Sequence, residues 1–248
     1  MIKKEQKYYG IHACLALFSQ RKNDVIRVYL EKELLPIFSP LLKWCAENKK
    51  AYHIVPKEEL EKITESVHHE GICILAVEKV PLSFPSFLMH LDAKKEAPIC
   101  LLYLDGVQNP HNLGSILRTC VHFSIPFILG EKSKLPTLSG SACRIAKGGS
   151  ELVSFVYVEN IENDLKRLQE KNFSFLATSS HEGTSLYKYA FPKKTLLILG
   201  AEDKGISKTL MQKSKDTLTI PGSGIIDSLN VSVATGLFIA EYWRQHRS

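Results

Sequence analysis

Several kinds of pattern are missing from these 248 residues, and each absence removes a class of protein. No run approaches the roughly 18 consecutive apolar residues of a membrane-spanning helix, so no membrane partner is expected. Met1-Ile2-Lys3-Lys4 leads into further polar residues instead of an apolar core, so no signal peptide is predicted and the chain reads as cytoplasmic. The six cysteines, at positions 14, 45, 73, 100, 120 and 143, form no C-x-x-C pair. Most have apolar neighbours, which points to buried reduced thiols rather than disulfides or zinc. His68-His69 has no other histidine or cysteine at ligand spacing and reads as a polar turn, so no metal is expected. There is no internal repeat and no low-complexity block. Gly222-x-Gly224 lacks the third glycine of a dinucleotide fingerprint, and neither a P-loop lysine motif nor a nucleophile elbow occurs.

What is present fits an ordinary globular protein, with 44% apolar and 23% charged residues and enough length for one large or two modest domains. A formal charge of +6 favours an anionic partner such as nucleic acid without establishing one.

Apolar periodicity alternates helix and strand from the start. Helices are predicted at 11–20, 32–48 and 57–66, and strands at 24–30, 51–55 and 72–77, which makes a small α/β unit over residues 1–79. Its lysines and arginines are either solvated or the rim of a polyanion site. Pro81, Pro85 and Pro98, with Lys94-Lys95-Glu96 between them, mark residues 80–97 as a linker.

A second α/β unit is predicted over 98–248. Ile99 to Leu104 is an apolar run suited to a strand buried on both faces. Asn109 is a plausible cap and Pro110 the first residue of a helix reaching Phe123, with His111, Ser115, Arg118 and His122 along a polar stripe. An arginine so placed is ordinarily solvated; its functional alternative is a guanidinium fork holding a phosphate. Further strands are expected at 126–129, 155–158, 174–178, 195–199 and 217–220, giving a largely parallel sheet with ligands beyond its strand C-termini. There the chain enters Gly200-Ala201-Glu202-Asp203-Lys204-Gly205 and, later, the breaker loop Pro221 to Gly224. A final helix is predicted from Ser228, capped by Asp227 or Ser228, with Leu229, Val233, Leu237 and Ala240 as its apolar face.

Three stretches in this order carry a resemblance. Asn109 through Thr119, Gly200 through Gly205, and Ile220-Pro221 through Ser228-Leu229-Asn230 to Ala234 are similar to the motifs of the SpoU (TrmH-like) family of RNA ribose 2′-O-methyltransferases, within the SPOUT superfamily. Tyr9-Gly10-Ile11-His12-Ala13 and His68 through Ile72 look like that family's substrate-binding domain, related in fold to ribosomal L30e. Lys50-Ala51-Tyr52-His53 and Trp243-Arg244-Gln245 extend the similarity to a bacterial tRNA/rRNA methyltransferase branch.

The resemblance implies an N-terminal L30e-like unit that captures RNA and a C-terminal parallel-sheet domain closed by a trefoil knot. It implies S-adenosylmethionine as cofactor, bound by Gly200, Ile220 and Leu229 through backbone groups, with Thr178 and Gly205 beside them. Asn112, Arg118, Glu202, Ser228 and Asn230 match residues used around the reacting ribose, and a homodimer is implied, with ribosomal RNA ahead of transfer RNA as substrate. Gly222 departs from the methionine that many members carry after Ile-Pro, which leaves this loop more flexible. The chemistry suits these types. Methyl transfer needs a hydroxyl oxygen aligned behind the methyl carbon, and Arg118 can hold the neighbouring phosphate and stabilise charge on that oxygen. A guanidinium that ordinarily keeps its proton up to about pH 12 is a poor proton acceptor, so the acceptor's identity stays open. Glu202 and Asn230 either act at the ribose or fasten loops to helix starts.

Two rivals remain, a catalytically silent clasp for structured RNA on the same fold and an open-sheet methyltransferase for a small molecule. Phosphate contacts predict that the logarithm of RNA affinity falls with the logarithm of salt by about 0.7 to 0.9 per contact, measured by fluorescence anisotropy; RNA binding that is flat in salt favours the small-molecule enzyme.

Overall fold

A computed structural model of the chain describes residues 4–92, 97–201 and 203–246. Its elements follow the alternation read from the sequence. The first stretch runs β1 (Glu5–Tyr9), α1 (Ile11–Arg21), β2 (Val25–Leu30), α2 (Leu35–Glu47), β3 (Ala51–Ile54), α3 (Lys57–Thr64) and β4 (Ile72–Val77). Then come α4 (Phe84–Asp92), β5 (Ile99–Asp105), α5 (Pro110–His122), β6 (Phe127–Glu131), α6 (Gly140–Ile145) and α7 (Gly149–Leu152). The chain ends with β7 (Ser154–Val158), α8 (Ile161–Glu170), β8 (Ser174–Ser179), β9 (Thr184–Ser185), β10 (Lys194–Gly200), α9 (Lys208–Lys213), β11 (Asp216–Thr219) and α10 (Val231–His246).

Contacts divide the chain into two compact units, residues 1–80 with 137–152 and residues 81–136 with 153–248. In the first unit the sheet order is β1-β4-β2-β3, with β4 antiparallel to both neighbours and β3 parallel to β2. Alternation along the strands sends Tyr8, Val28, Leu30, Ile72 and Ile74 to one side, where they bury against Leu17, Phe38 and Leu41 of α1 and α2.

Residues 137–152 belong to this unit, although the sequence reading ran the second domain unbroken from residue 98. Two ionic contacts hold them there. Arg21 Nε donates to Glu151 Oε2 at 2.7 Å, and Lys79 Nζ donates to the carbonyls of Ser150 and Glu151 at 2.9 and 2.8 Å. Burial lowers the affinity of the Lys79 ammonium for its proton, and the neighbouring Glu151 carboxylate opposes that shift. Periodicity shows that a segment is helical; it does not say which sheet a short helix packs on.

The second unit is a seven-stranded, wholly parallel sheet in the order β7-β6-β5-β10-β8-β11-β9. Strand β5, third in that order, is buried at every residue as the apolar run required. The expected linker is in part a core helix. Phe84, Phe87, Leu88 and Leu91 of α4 are buried in the main apolar cluster of this unit, with Phe87 edge-on to Phe127 at 5.0 Å. Pro85 does not prevent this, because a missing N–H in the first turn breaks no helical hydrogen bond. Lys94-Lys95-Glu96 lie outside the described residues. All six cysteines are buried and unpaired, and burial pushes the Cys73, Cys100 and Cys143 thiols up to about 12. No helix among the described residues is long and apolar enough to cross a membrane.

Since Phe87 is fully buried, Phe87→Ala is expected to destabilise the second unit by about 3–5 kcal/mol, read from guanidinium unfolding followed through Trp243 in a Trp44→Phe background. A change below about 0.5 kcal/mol would mean that α4 is a passive connector.

Candidate active site

The site is built where β5, β10, β8 and β11, which are neighbours in that order, deliver their C-terminal ends. Four parallel strands about 4.8 Å apart put the turn after β10 and the turn after β11 roughly 10 Å from each other, with only the tip of β8 between them. Thr178, on that tip, donates its hydroxyl to the Ile198 carbonyl at 3.0 Å, joining β8 to β10. Ile220, just past β11, is half-buried.

Two helices begin at this edge. Asn109 caps α5, its side-chain oxygen accepting from the His111 amide at 2.8 Å and the Asn112 amide at 3.4 Å, with Pro110 next as expected. Asn230 does the same for α10. Its side-chain oxygen accepts from the Ser232 amide at 2.9 Å and the Ser232 hydroxyl at 2.6 Å, while its carbonyl accepts from the Ala234 amide at 2.9 Å. The two starts are tied directly, because Asn230 Nδ2 donates to Asn112 Oδ1 at 2.9 Å. Farther on, a side chain at Gly236 would meet Thr119 at 3.9 Å, and Phe123 stands edge-on to Trp243 at 6.1 Å. The helices therefore run side by side in the same direction, and their amide-rich, positive ends meet at one mouth.

This corrects two expectations. Helix α10 starts at Val231, not Ser228, and its cap is Asn230 rather than Asp227 or Ser228. Its inward face is Val231, Thr235, Phe238, Ile239 and Tyr242, whereas Leu229 and Val233 are 48% and 53% exposed. Both sets recur at helical spacing, so periodicity had two solutions and packing took the other one.

The loop after β10 depends on its glycines. A Cβ on Gly200 would lie 2.3 Å from the Gly205 carbonyl carbon, so no side chain fits there, and Gly205 has a left-handed φ of 62°. The Gly205 amide donates to the Ala201 carbonyl at 2.9 Å, closing the turn. Glu202 lies outside the described residues.

Asp105 is the residue that sequence reasoning missed. It is 5% exposed at the end of β5, yet its carboxylate is fully engaged. Oδ2 accepts from the Ser207 amide at 2.7 Å and Oδ1 from Lys134 Nζ at 3.1 Å, while its backbone carbonyl accepts from the Ala201 amide at 3.0 Å. One buried acid thus pins the whole 200–207 turn to the strand that leads into α5. The signal available was a carboxylate closing six apolar residues.

Of the other predicted site residues, Arg118 is exposed on α5, two turns beyond the cap, and Ser228 and Leu229 lie in a loop whose residues 221–230 are all exposed. Ile225 and Ile226 in that loop are 87% and 80% exposed, large apolar side chains set in solvent. Among the described residues no cluster of His, Cys, Asp or Glu could hold a metal.

Residues 99–240 match the SpoU rRNA Methylase family, and residues 8–80 match the RNA 2′-O ribose methyltransferase substrate-binding family. A 23S rRNA (guanosine-2′-O-)-methyltransferase RlmB of Shewanella oneidensis is 33% identical, with 100% of both chains covered. An uncharacterized tRNA/rRNA methyltransferase, YfiF, of Escherichia coli O157:H7 is 34% identical over 99% of this chain and 70% of its own. Among solved structures, the AdoMet-bound rRNA methyltransferase from Sinorhizobium meliloti superposes with a TM-score of 0.80 at 18% identity, covering 98% of this chain and 88% of that one. SpoU methyltransferase AviRb from Streptomyces viridochromogenes, in complex with AdoMet, gives 0.78 at 17%, covering 97% and 90%. These two show a shared fold.

Gly200→Ala is expected to force the 201–206 turn off the strand tip, lowering stability by about 1–3 kcal/mol and speeding hydrogen exchange at the Gly205 and Ser207 amides. Unchanged exchange at both amides would show that the close approach is not required.

Proposed function

Because the chain belongs to the SpoU rRNA methylase family, we propose that its sheet edge transfers a methyl group from S-adenosylmethionine to a ribose 2′-hydroxyl of RNA, with ribosomal RNA ahead of transfer RNA. The observation that carries this reading is the Asn230–Asn112 hydrogen bond, which joins the first and third motifs beside the turn that holds the second. The residues there suit the cofactor. Gly200 presents bare backbone at a strand tip, the exposed 221–230 loop offers its main chain, and nothing lies within 4 Å of an added Cβ at Gly205, Gly222 or Gly224. When bound, S-adenosylmethionine supplies an electrophilic methyl group on a sulfonium.

In this proposal Gly200, Ile220 and Leu229 hold the donor through backbone groups, with Thr178 and Gly205 shaping the strand tips around them. Arg118 is exposed and has no carboxylate within ion-pair distance among the described residues, which leaves its guanidinium for a phosphate next to the target ribose. It acts there by charge, lowering the cost of negative charge on the attacking oxygen. Asn112 and Asn230, fixed by each other, orient the ribose together with the Ser228 hydroxyl, and Glu202 anchors Arg118 or the loop. The first unit captures RNA and the second performs the transfer. The trefoil knot and a cytoplasmic homodimer belong to the same proposal. Dimerisation is supported by Ile225, Ile226, Leu229 and Val233, a run of exposed apolar side chains beside the site.

Arg118→Ala is expected to abolish methylation while S-adenosylmethionine affinity, by calorimetry, stays within about twofold; activity surviving within about threefold refutes the role given to this arginine. No heat of binding at millimolar S-adenosylmethionine in a protein that still binds RNA would favour the silent clasp. Mapping ribose methylation in total RNA from a deletion strain against its parent decides between ribosomal and transfer RNA.

A further inference from the structure

The sheet of the first unit has a second face. Helix α3 covers part of it, burying Leu60 against Tyr9, Val55 and Cys73, with Tyr29 packed at the margin. Beyond α3 the face is open. Arg27 and His53 are exposed, Leu75 is half-buried, and the alternation of the strands points all three the same way as Tyr29.

Tyr29 and His53 lie directly opposite each other on β2 and β3, and their rings are stacked, 5.3 Å between centroids and 20° between planes. Because β3 is the edge of the sheet, no strand stands beside the imidazole on the side away from Tyr29. Arg27 Nη1 donates to the Tyr29 hydroxyl at 3.2 Å, which holds a cation at the tip of the stack. That guanidinium is unusual in this chain. Arg21, Arg144 and Arg244 are paired with carboxylates, and Arg167 lies over the Phe84 ring. Among the described residues Arg27 shares with Arg118 the lack of both kinds of partner. The carboxylate of Glu65, at the end of α3, is taken by Lys7 at 2.9 Å.

A two-ring stack with one side facing solvent, and a fixed unpaired cation roughly 7 Å along the same strand, matches an unpaired nucleotide. The base continues the stack and its phosphate reaches the guanidinium. A duplex offers no free base face to such a surface.

We propose that the Arg27–Tyr29–His53 surface is a stacking platform for an unpaired base of single-stranded RNA, selecting substrates with an exposed loop or strand. The proposal rests on the RNA reading above and names the part of the RNA that the first unit reads.

The test titrates the full chain with a fluorescein-labelled single-stranded oligoribonucleotide of about 12 mixed nucleotides and with a duplex of the same length. His53→Ala is expected to weaken single-strand binding about tenfold, within the range for losing one stacked base. Arg27→Gln is expected to weaken it several-fold and to reduce the salt slope by about 0.7, the loss of one phosphate contact. His53→Phe, which keeps a flat ring, retains binding within about threefold. Both parent side chains are exposed, so the variants fold, and S-adenosylmethionine affinity stays unchanged as a control. If the unmodified chain binds the strand and His53→Ala and Arg27→Gln bind it within twofold as well, the platform is wrong and the methyltransferase reading stands. Equal losses on strand and duplex also overturn it, since they indicate a general basic patch. A chain that binds neither probe overturns both readings.

Discussion

The hydrogen bond between the side chains of Asn230 and Asn112 is the constraint on which the catalytic unit depends. Each of these residues is also bound up with a helix start, one as the cap of α10 and the other as the residue whose amide the α5 cap receives. Two helix N-termini repel one another as like partial charges, so bringing them to one mouth costs energy unless something bridges them. An amide pair does so without adding charge. It leaves the electropositive mouth intact for an anionic ligand and sets the direction of two long helices.

A second joint works with charge. Asp105 sits almost fully buried at the end of an apolar strand, where an unpaired carboxylate would be strongly disfavoured. The Ser207 amide and the Lys134 ammonium both satisfy it, and Lys134 is shared with Glu131. A lysine with two acid neighbours has its ammonium form favoured, chiefly through Glu131. The turn carrying the second motif is therefore anchored by its own strand and by the end of a neighbouring one. Rigid anchorage of this kind suits a site whose contribution is positioning.

Much of this was legible from the residues. The runs 99–104 and 195–199 read as strands, the first as one buried on both faces, and the helix after Asn109 announced its start with a cap and a proline. The alternation then put the turns at Gly200 and Gly222 beyond strand C-termini, and the family resemblance implied that the stretch from Asn109 joins them. What escaped detection did so for physical reasons. Three prolines made 80–97 look like a linker, but Pro85 falls in the one turn of a helix where proline is harmless, and Phe84 and Phe87 supply the burial that holds α4 in place. Helix α10 is apolar on more than one side, so its inward face is chosen by α5 rather than by its own pattern. The Asn230–Asn112 bond and the Asp105 joint link residues about a hundred positions apart, and no local signal carries such a contact.

The Arg21–Glu151 and Lys79–Ser150 contacts bear on how such a molecule is inherited. The first unit is not one uninterrupted stretch of gene, since residues 137–152 return to it from within the span of the second. Cutting the reading frame after residue 80 would take Glu151 from Arg21, leaving it Asp24 and the Val77 carbonyl, and would take the Ser150 and Glu151 carbonyls from Lys79. Exchange of this unit between related genes therefore needs three matched crossovers, after residues 80, 136 and 152, rather than one. The two units are therefore expected to travel together through descent instead of being shuffled as separate modules.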